Sequence, residues 1–192
     1  MKIEFEVRVL NVDIDEMINR CKSIGAVFLG AFFQNRYVYD FVPPIKGKWI
    51  RLRNNGYKTT LAIKMIKDLK IDGTKELEIT VSDFIETNNL LSELGYFPRN
   101  YQENFRIEFY INGVTLDIDK WPSLDPYIEI EGPDEKSVYN IIKLLGLPQE
   151  KVTTIDVNTL YQNSGIILEE IDRLSFEEQE KELLSKFIKK EK

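Results

Sequence analysis

Three segments of this chain combine an alternating strand pattern with a Glu-x-Glu pair, and each leads into a helix that ends at a glycine. The pairs are Glu4 and Glu6, Glu76 and Glu78, and Glu129 and Glu131. Because successive side chains of a strand point to opposite faces, each pair places two carboxylates on one face and apolar side chains on the other. Such strands require a sheet with one charged and one apolar face, and the repeated carboxylate pairs suggest a cation site.

The same alternation continues along most of the chain. It predicts strands at 3–10, 27–33, 35–42, 48–53, 57–65, 75–81, 104–111, 114–120 and 126–131. The turns Asn54-Asn55-Gly56 and Asn112-Gly113 predict two hairpins. Helices are predicted from Asp13 or Asp15 to Gly25, from Ser82 or Asp83 to Gly95, and from Asp134 to Gly146.

The last part of the chain has a different pattern. Residues 166–192 carry leucine, isoleucine and phenylalanine at helical spacing among many charges. They predict a C-terminal amphipathic helical tail that lies on the body or on a partner. Residues 1–165 are predicted to form one domain.

Two arrangements of the strands satisfy the alternation. In the first, an antiparallel sheet holds its apolar face under helices and its charged face in water. In the second, the sheet curls into a barrel, so that helices cover the apolar outside and the charged faces converge on a lumen. The polar positions are dominated by carboxylates and arginines rather than Thr, Ser or Gln. This favours the barrel, because enclosed charged side chains are costly unless they are paired or bind a charged ligand.

Composition excludes several classes of function. The net charge of -6 argues against binding of duplex nucleic acid or of anionic membranes through overall charge. The chain has no histidine and only Cys21 as a thiol, which excludes Ser-His and Cys-His nucleophiles and multi-cysteine zinc sites. The N-terminal residues form a strand pattern rather than a signal peptide, and no run of 18 apolar residues occurs, so a cytoplasmic location is predicted.

The remaining chemistry belongs to carboxylates, lysine and arginine. Arginine and lysine match phosphate oxygens, whereas paired carboxylates match Mg²⁺ or Mn²⁺. A metal-bound polyphosphate is a ligand that needs both the cationic side chains and the carboxylates. The polar positions therefore predict a small-molecule site that uses both signs of charge.

Several motifs together resemble the CYTH superfamily, the triphosphate tunnel metalloenzymes. Glu4-Phe5-Glu6-Val7-Arg8 resembles its opening E-x-E-x-K, with arginine in the third place. The later matches are QNRYVYD at 34–40, Arg51-Leu52-Arg53, the strand ending in Lys64, Lys75 followed by Glu76 and Glu78, Arg106 of a K-x-R pair, Asp117 with Asp119, and the late Glu129-Ile130-Glu131. Asn104 stands where the first lysine of K-x-R would fall. The resemblance implies an α+β fold: an antiparallel eight-stranded β-barrel tunnel with helices packed outside.

The resemblance also implies roles for single residues. Those implied to bind the triphosphate are Arg8, Arg51, Arg53, Lys64, Lys75 and Arg106, of which Lys64, Arg53 and Arg106 are implied to be catalytic. Those implied to hold Mg²⁺ or Mn²⁺ are Glu4, Glu6, Glu76, Glu78, Asp117, Asp119, Glu129 and Glu131.

Three functions stay open at this point. The first is metal-dependent hydrolysis of inorganic, nucleoside or thiamine triphosphate. The second is the class IV adenylate cyclase reaction, which QNRYVYD favours. The third is a non-catalytic polyphosphate- or nucleotide-binding module, which the Arg8 and Asn104 departures favour. The expected partner is a triphosphate-containing small molecule rather than duplex nucleic acid or a membrane, and a homodimer is compatible with the sequence.

Overall fold

In a computed structural model, which describes residues 1–189, eight antiparallel strands close into a barrel. They are β1 (Lys2–Leu10), β2 (Val27–Ile45), β3 (Lys48–Asn54), β4 (Thr59–Ile66), β5 (Thr74–Val81), β6 (Asn100–Ile111), β7 (Val114–Lys120) and β8 (Tyr127–Gly132). Their order is β6-β2-β3-β4-β5-β1-β8-β7, and β7 pairs with β6 to close the ring. Two short strands extend the sheet: β9 (Val152–Thr153) pairs with β1, and β10 (Arg173–Leu174) lies parallel to β6. The predicted fold is confirmed.

The second strand differs from its prediction. Residues 27–33 and 35–42 were predicted as separate strands, but β2 runs unbroken through Gln34 and through Pro43 and Pro44. Gln34 pairs with Asn104 of β6 and is buried on the tunnel side of the barrel wall. A polar residue between two apolar stretches therefore marks an inward-facing position here, and nine predicted segments become eight strands.

Five helices lie on the outside of the barrel in residues 1–189. They are α1 (Ile14–Ser23), α2 (Phe84–Glu93), α3 (Glu135–Leu144), α4 (Val157–Asn163) and α5 (Glu178–Lys189). The first four begin after an aspartate whose side chain accepts a backbone N–H three residues later, at 2.7–2.8 Å. Gly25, Gly95 and Gly146 follow the first three with φ of 80°, 86° and 64°, a conformation that glycine adopts without steric cost. The three predicted helices are confirmed, and α4 was not predicted.

The C-terminal segment is only partly helical. A helix was predicted over 166–192, yet α5 begins at Glu178, after a 3-10 turn at Leu168–Glu170 and the strand β10. Leu168 and Leu174 pack in a cluster with Trp121, while Phe176 and Leu184 join the main core. Residues 190–192 of the predicted tail lie outside the described part of the chain. The division of the chain at residue 165 stays a prediction.

The core lies between the barrel and its helices. Apolar side chains of β1, β6, β7 and β8 pack against α1, α3 and α5, and a smaller cluster lies between β2, β3 and α2. The outer face of β5 is less covered, and Leu77 and Ile79 are 51% and 56% exposed there. The charged positions of the strands face inward instead of outward, which decides between the two arrangements that the sequence allowed. Residues 1–189 contain no helix with the length and apolar character needed to cross a membrane.

Candidate active site

The interior of the barrel is a polar tunnel with two connected cavities. One cavity has a volume of about 890 Å³ and the other about 490 Å³. Both are lined by Glu4, Arg53, Glu76, Arg106 and Glu131, so these residues form the section where the cavities meet. The tunnel is large enough for a small charged molecule.

One side of the tunnel is basic. Strands β3 and β4 contribute Arg51, Arg53 and Lys64. In the register of the two strands Arg51 pairs with Ala62, and Lys64 lies two residues further along β4. Arg51 Nη2 donates to Glu76 at 2.8 Å and to Glu78 at 3.2 Å, and Arg53 Nη2 donates to Glu78 at 3.2 Å. The Nε groups of both arginines are buried without a hydrogen-bond partner. Both arginines line the larger cavity, where their guanidinium groups can meet phosphate oxygens.

The Lys64 ammonium lies between two carboxylates. Its Nζ is 3.0 Å from Glu4 Oε2 and 3.9 Å from Glu76 Oε1. Burial disfavours the charged form of Glu4 more than Lys64 favours it, and the pKa of Glu4 rises to about 8. Burial acts the same way on Glu76, but Arg51 and Lys64 outweigh it and lower the pKa of Glu76 to about 2. The two carboxyl groups therefore differ in charge at neutral pH.

The opposite side of the tunnel is acidic and comes from β1, β7 and β8. Arg106 of β6 reaches into it: Nε and Nη2 donate to Asp119 at 2.8 and 2.6 Å, and Nη1 donates to Asp117. This is a bidentate contact that fixes the guanidinium plane. Arg106 Nη2 also donates to Glu129 at 3.3 Å.

Arg8 supports the same acidic side. Its Nη2 donates to Glu6 at 3.1 Å and to Glu129, and its Nη1 donates to the carbonyl of Ile155 at 3.0 Å. Burial opposes ionisation of Glu129, but Arg8 and Arg106 outweigh it and lower the pKa of Glu129 to about 2. Glu129 is therefore held as an anion between two arginines.

Some acidic side chains of the tunnel lie close to a second carboxylate as well as to a cation. Glu6 and Glu131 stand directly opposite each other on β1 and β8. Burial, together with Glu129 and Glu6, raises the pKa of Glu131. Burial also raises the pKa of Asp117, even though Arg106 lowers it, and Asp117 Oδ1 is buried without a hydrogen-bond partner. Carboxylates arranged this way repel each other unless a proton or a cation lies between them.

These carboxylates have the donor chemistry that Mg²⁺ or Mn²⁺ requires. Across residues 1–189, no three acidic side chains are already grouped in a position to hold a metal. Glu4, Glu6, Asp117 and Glu131 nevertheless offer hard oxygen donors, and Asp117 Oδ1 accepts no hydrogen bond. The residues therefore fit a divalent cation in kind, and these four are the ones that would hold it.

The other predicted metal ligands are held by arginine contacts, as Glu6 and Asp117 also are through Arg8 and Arg106. Glu76 and Glu78 accept from Arg51, Glu78 also from Arg53, and Asp119 and Glu129 accept from Arg106. The structure brings all of these predicted ligands to the tunnel. Their contacts favour a role in orienting the cationic side chains.

The prediction for Lys75 is corrected. Because Glu76 and Glu78 line the tunnel, the alternation of β5 places the Lys75 side chain on the outer face. Its register partners in the neighbouring strands are Ile3 and Met65. The remaining predicted phosphate-binding residues line the tunnel. Lys75 was placed with them because it directly precedes the Glu-x-Glu pair.

Sequence reasoning left Arg36 out of the predicted site. The residue is buried in the tunnel wall, beside Gln34 and Asn104. Its position follows from the alternation of Gln34, Arg36 and Val38, provided that 27–45 is interpreted as one strand. The predicted break at Gln34 concealed that signal.

Comparison with known proteins supports the fold. No family model and no curated protein matches the sequence. Among solved structures, the PH1012 protein of Pyrococcus horikoshii OT3 has a TM-score of 0.68 and 22% identity, over 81% of this chain and 96% of that chain. A candidate adenylate cyclase of Vibrio parahaemolyticus has a TM-score of 0.61 and 16% identity, over 93% of this chain and 97% of its own.

A third solved structure carries a statement about activity. HpAC1 of Hippeastrum, described as a candidate adenylyl cyclase with a dominant triphosphatase activity, has a TM-score of 0.54 and 16% identity, over 89% of this chain and 100% of that chain. At these identities the likeness establishes the fold. The chain shares the barrel of these proteins, which is the fold that the CYTH resemblance implied.

Proposed function

We propose that this protein is a divalent-metal-dependent enzyme that hydrolyses a triphosphate. The observation that carries the proposal is the separation of charge across the tunnel. Arg51, Arg53 and Lys64 stand on one side, and the carboxylates of β1, β7 and β8 stand on the other. A linear triphosphate with its counter-cation carries both signs of charge, and it matches the two sides at once.

The cationic side chains would bind and orient the substrate. Arg51, Arg53 and Lys64 all line the larger cavity, where two guanidinium groups and a point charge can meet phosphate oxygens. Arg106 and Arg8 are fixed by their carboxylate contacts and would meet the phosphoryl oxygens nearest the acidic side. Phosphoryl transfer depends mainly on positioning and charge neutralisation, so these residues suffice for the protein's part.

The acidic side would hold the cation. Glu4, Glu6, Asp117 and Glu131 offer the oxygen ligands, and Mg²⁺ or Mn²⁺ bound there would neutralise phosphate charge and make an attacking water more acidic. Glu76, Glu78 and Asp119 would keep the arginines in place while substrate enters. Both the metal requirement and the cytoplasmic location stay predictions.

The class IV adenylate cyclase reaction is the second candidate. The larger cavity supports it, because Val38, Trp49 and Leu168 give that end an apolar lining beside the charges. Such a lining would suit a nucleoside. In cyclisation the ribose 3′-hydroxyl attacks the α-phosphorus in place of water, and pyrophosphate leaves. The triphosphatase activity described for HpAC1 favours hydrolysis as the first candidate. A binding module without turnover is the third, and Asn104 in place of a lysine supports it.

Product analysis separates the three candidates. The protein is incubated with tripolyphosphate, ATP or thiamine triphosphate in Mg²⁺ or Mn²⁺, and products are resolved by chromatography. Release of orthophosphate is expected. Pyrophosphate with cyclic AMP would instead support the cyclase, and tight binding without any product would support the module.

Two lysines of adjacent strands provide a matched control. Lys64→Met removes a cation from the tunnel, whereas Lys75→Met removes one from the outer face. Lys64→Met is expected to lower turnover by about 100-fold or more, the size seen when a charge-stabilising donor is removed. Lys75→Met is expected to leave turnover unchanged. Equal activity of the two variants would rule out Lys64 as a substrate-binding residue.

A further inference from the structure

Arg36 occupies an unusual position in the tunnel wall. It extends from β2, and the residue is 7% exposed. Its Nη2 donates to Gln34 Oε1 at 3.4 Å and to Asn104 Oδ1, and its guanidinium carbon lies 4.5 Å from the centre of the Trp121 ring. Its Nε is buried without a hydrogen-bond partner. The contacts of this cation are amides and an aromatic ring.

The other tunnel arginines differ from Arg36 in one respect. Arg8, Arg51, Arg53 and Arg106 each form an ion pair with at least one carboxylate. Over residues 1–189, Arg36 forms none. The nearby carboxylate of Asp119 is already held by Arg106 and by the Asn104 amide, at 2.6 and 3.2 Å.

A buried guanidinium without an anion is costly. Burial lowers the pKa of Arg36 well below its usual value, and the positive charges of Arg51, Arg53 and Arg106 lower it further. A protein interior keeps such a charge at a substantial free-energy cost when no anion compensates it. The cost falls when an anionic ligand arrives in the cavity that Arg36 lines, because the ligand supplies the missing counter-charge.

The cavity provides the space for that anion. Arg36 lines the larger cavity together with Arg8, Gln102, Arg106 and Trp121. Trp121 stacks on one face of the guanidinium and leaves its edge to hydrogen-bond. Because Gln34 and Asn104 both accept from Nη2, the orientation of the guanidinium is fixed before a ligand binds.

We propose that Arg36, held by Gln34, Asn104 and Trp121, is an anion subsite that binds one phosphoryl group of the ligand in the tunnel. The phosphoryl class of ligand rests on the proposed function, whereas the subsite itself rests on the burial and contacts of Arg36. It would add a phosphate contact to those of Arg51, Arg53 and Lys64, on the side of the larger cavity.

The test compares stability and affinity in the same variants. Arg36→Met and Arg36→Gln remove the charge, and Arg173→Met is the control, since that arginine also stacks on an aromatic ring, Tyr101, but its side chain is 63% exposed. Melting temperatures are measured without ligand, and affinities for tripolyphosphate and pyrophosphate are measured by calorimetry without metal. Both Arg36 variants are expected to melt no lower than the wild type and to bind tripolyphosphate about 10- to 100-fold more weakly. Arg173→Met is expected to bind as the wild type does.

The outcomes separate the subsite from the enzymatic proposal. Weaker binding in the Arg36 variants, with no substrate turned over by the wild type, would keep the subsite and reject the hydrolase. A folded Arg36 variant that binds tripolyphosphate as tightly as the wild type would reject the subsite, whatever the turnover. A lower melting temperature with unchanged affinity would make Arg36 a structural residue, and a wild type that binds neither anion would also reject the subsite.

Discussion

At the scale of single residues, Glu4 and Glu76 show how burial and charge compete. Both carboxyl groups lie beside Lys64, yet the pKa of Glu4 is raised to about 8 and that of Glu76 is lowered to about 2. Burial raises both, and Glu76 differs because Arg51 donates to it at 2.8 Å. The side chain of Glu4 has Lys64 as its one ion-pair partner within residues 1–189. Substitution by glutamine should therefore change the stability of the fold in opposite directions at the two sites.

The first prediction is a pH-dependent stability difference for Glu4→Gln. Because the folded-state pKa of Glu4 lies above the unfolded value of 4.5, its contribution to stability is present below pH 4.5 and is lost as pH rises through about 8. Glutamine mimics the protonated form, so Glu4→Gln should gain stability relative to the wild type between pH 5 and pH 9. The measurement is denaturant unfolding at both pH values in the presence of a chelator.

Glu76→Gln provides the matched comparison. Its folded-state pKa lies below 4.5, so its contribution is present above pH 4.5 and is lost as pH falls through about 2. Removing the charge leaves Arg51 with less compensation, and a loss of about 2 kcal/mol is expected at pH 5 and at pH 9. Equal losses in Glu4→Gln and Glu76→Gln at both pH values would contradict this account of the two sites.

The second prediction concerns the single thiol. Cys21 is fully buried on α1, and burial raises its pKa to about 12. Thiol reagents attack the thiolate, so reaction of the native protein at pH 8 should be about 1000-fold slower than that of a free thiol. In denaturant, Cys21 should react at the rate of a free thiol. The reactions of the native and the denatured protein are both followed by the absorbance of the group that the thiol reagent releases. Rapid labelling of the native protein would show that α1 opens from the barrel.

At the scale of elements, the sequence predicts strands well where alternation is strict. The hairpin of β3 and β4 follows from Asn54-Asn55-Gly56 and from regular alternation on both sides, and it is confirmed. The inward side chains of β1, β7 and β8 are confirmed for the same reason. In β2, Phe32 and Phe33 interrupt the alternation, so the local pattern ends before Gln34 although the strand continues. Pairing with β6, which the local sequence does not encode, carries the strand through.

The segment before α5 shows a second limit of local patterns. Leu168, Ile171 and Leu174 are compatible with a helix stripe, and only tertiary contacts decide otherwise. Glu103 of β6 supplies one of these contacts, because it accepts the Phe176 N–H at 3.1 Å and the Tyr101 hydroxyl at 3.0 Å. It also lies 3.5 Å from Lys181 Nζ. A side chain more than 70 positions away therefore sets the conformation of this segment.

The third prediction tests that contact. Glu103→Ala removes a buried acceptor and leaves the Phe176 N–H without a partner, so a loss of about 2 kcal/mol is expected. The control is Glu178→Ala, whose side chain is 92% exposed and which should have no measurable effect. Unfolding in denaturant gives the energies, and limited proteolysis should cut Glu103→Ala first between residues 165 and 178. Identical digestion patterns in the two variants would show that other contacts hold the segment.

At the scale of the whole molecule, the barrel places its charges where most proteins place their core. The apolar faces of the strands pack under the helices, and the charged faces pair across the tunnel. Arginine–carboxylate contacts neutralise part of this charge, but Glu131 stands opposite Glu6, and Arg36 has amides and the Trp121 ring as partners rather than a carboxylate. The facing carboxylates and the Arg36 guanidinium have opposite signs and lie in different parts of the wall. A ligand with both signs of charge would stabilise the barrel more than either sign alone.

The last prediction follows from that separation. Tripolyphosphate should raise the melting temperature by binding to the basic side of the tunnel. Mg²⁺ should add a further rise when both are present, because the bound anion attracts the cation and the bound cation attracts the anion. Glu131→Gln isolates the metal contribution, since it removes one of two facing carboxylates and leaves Arg51, Arg53 and Lys64 in place. This variant should keep the rise caused by tripolyphosphate and lose most of the additional rise caused by Mg²⁺. Melting curves at constant ionic strength measure the rise caused by tripolyphosphate and the additional rise caused by Mg²⁺. If Mg²⁺ raised the melting temperature of Glu131→Gln as much as that of the wild type, the cation would be bound by the phosphate alone, away from the acidic side of the tunnel.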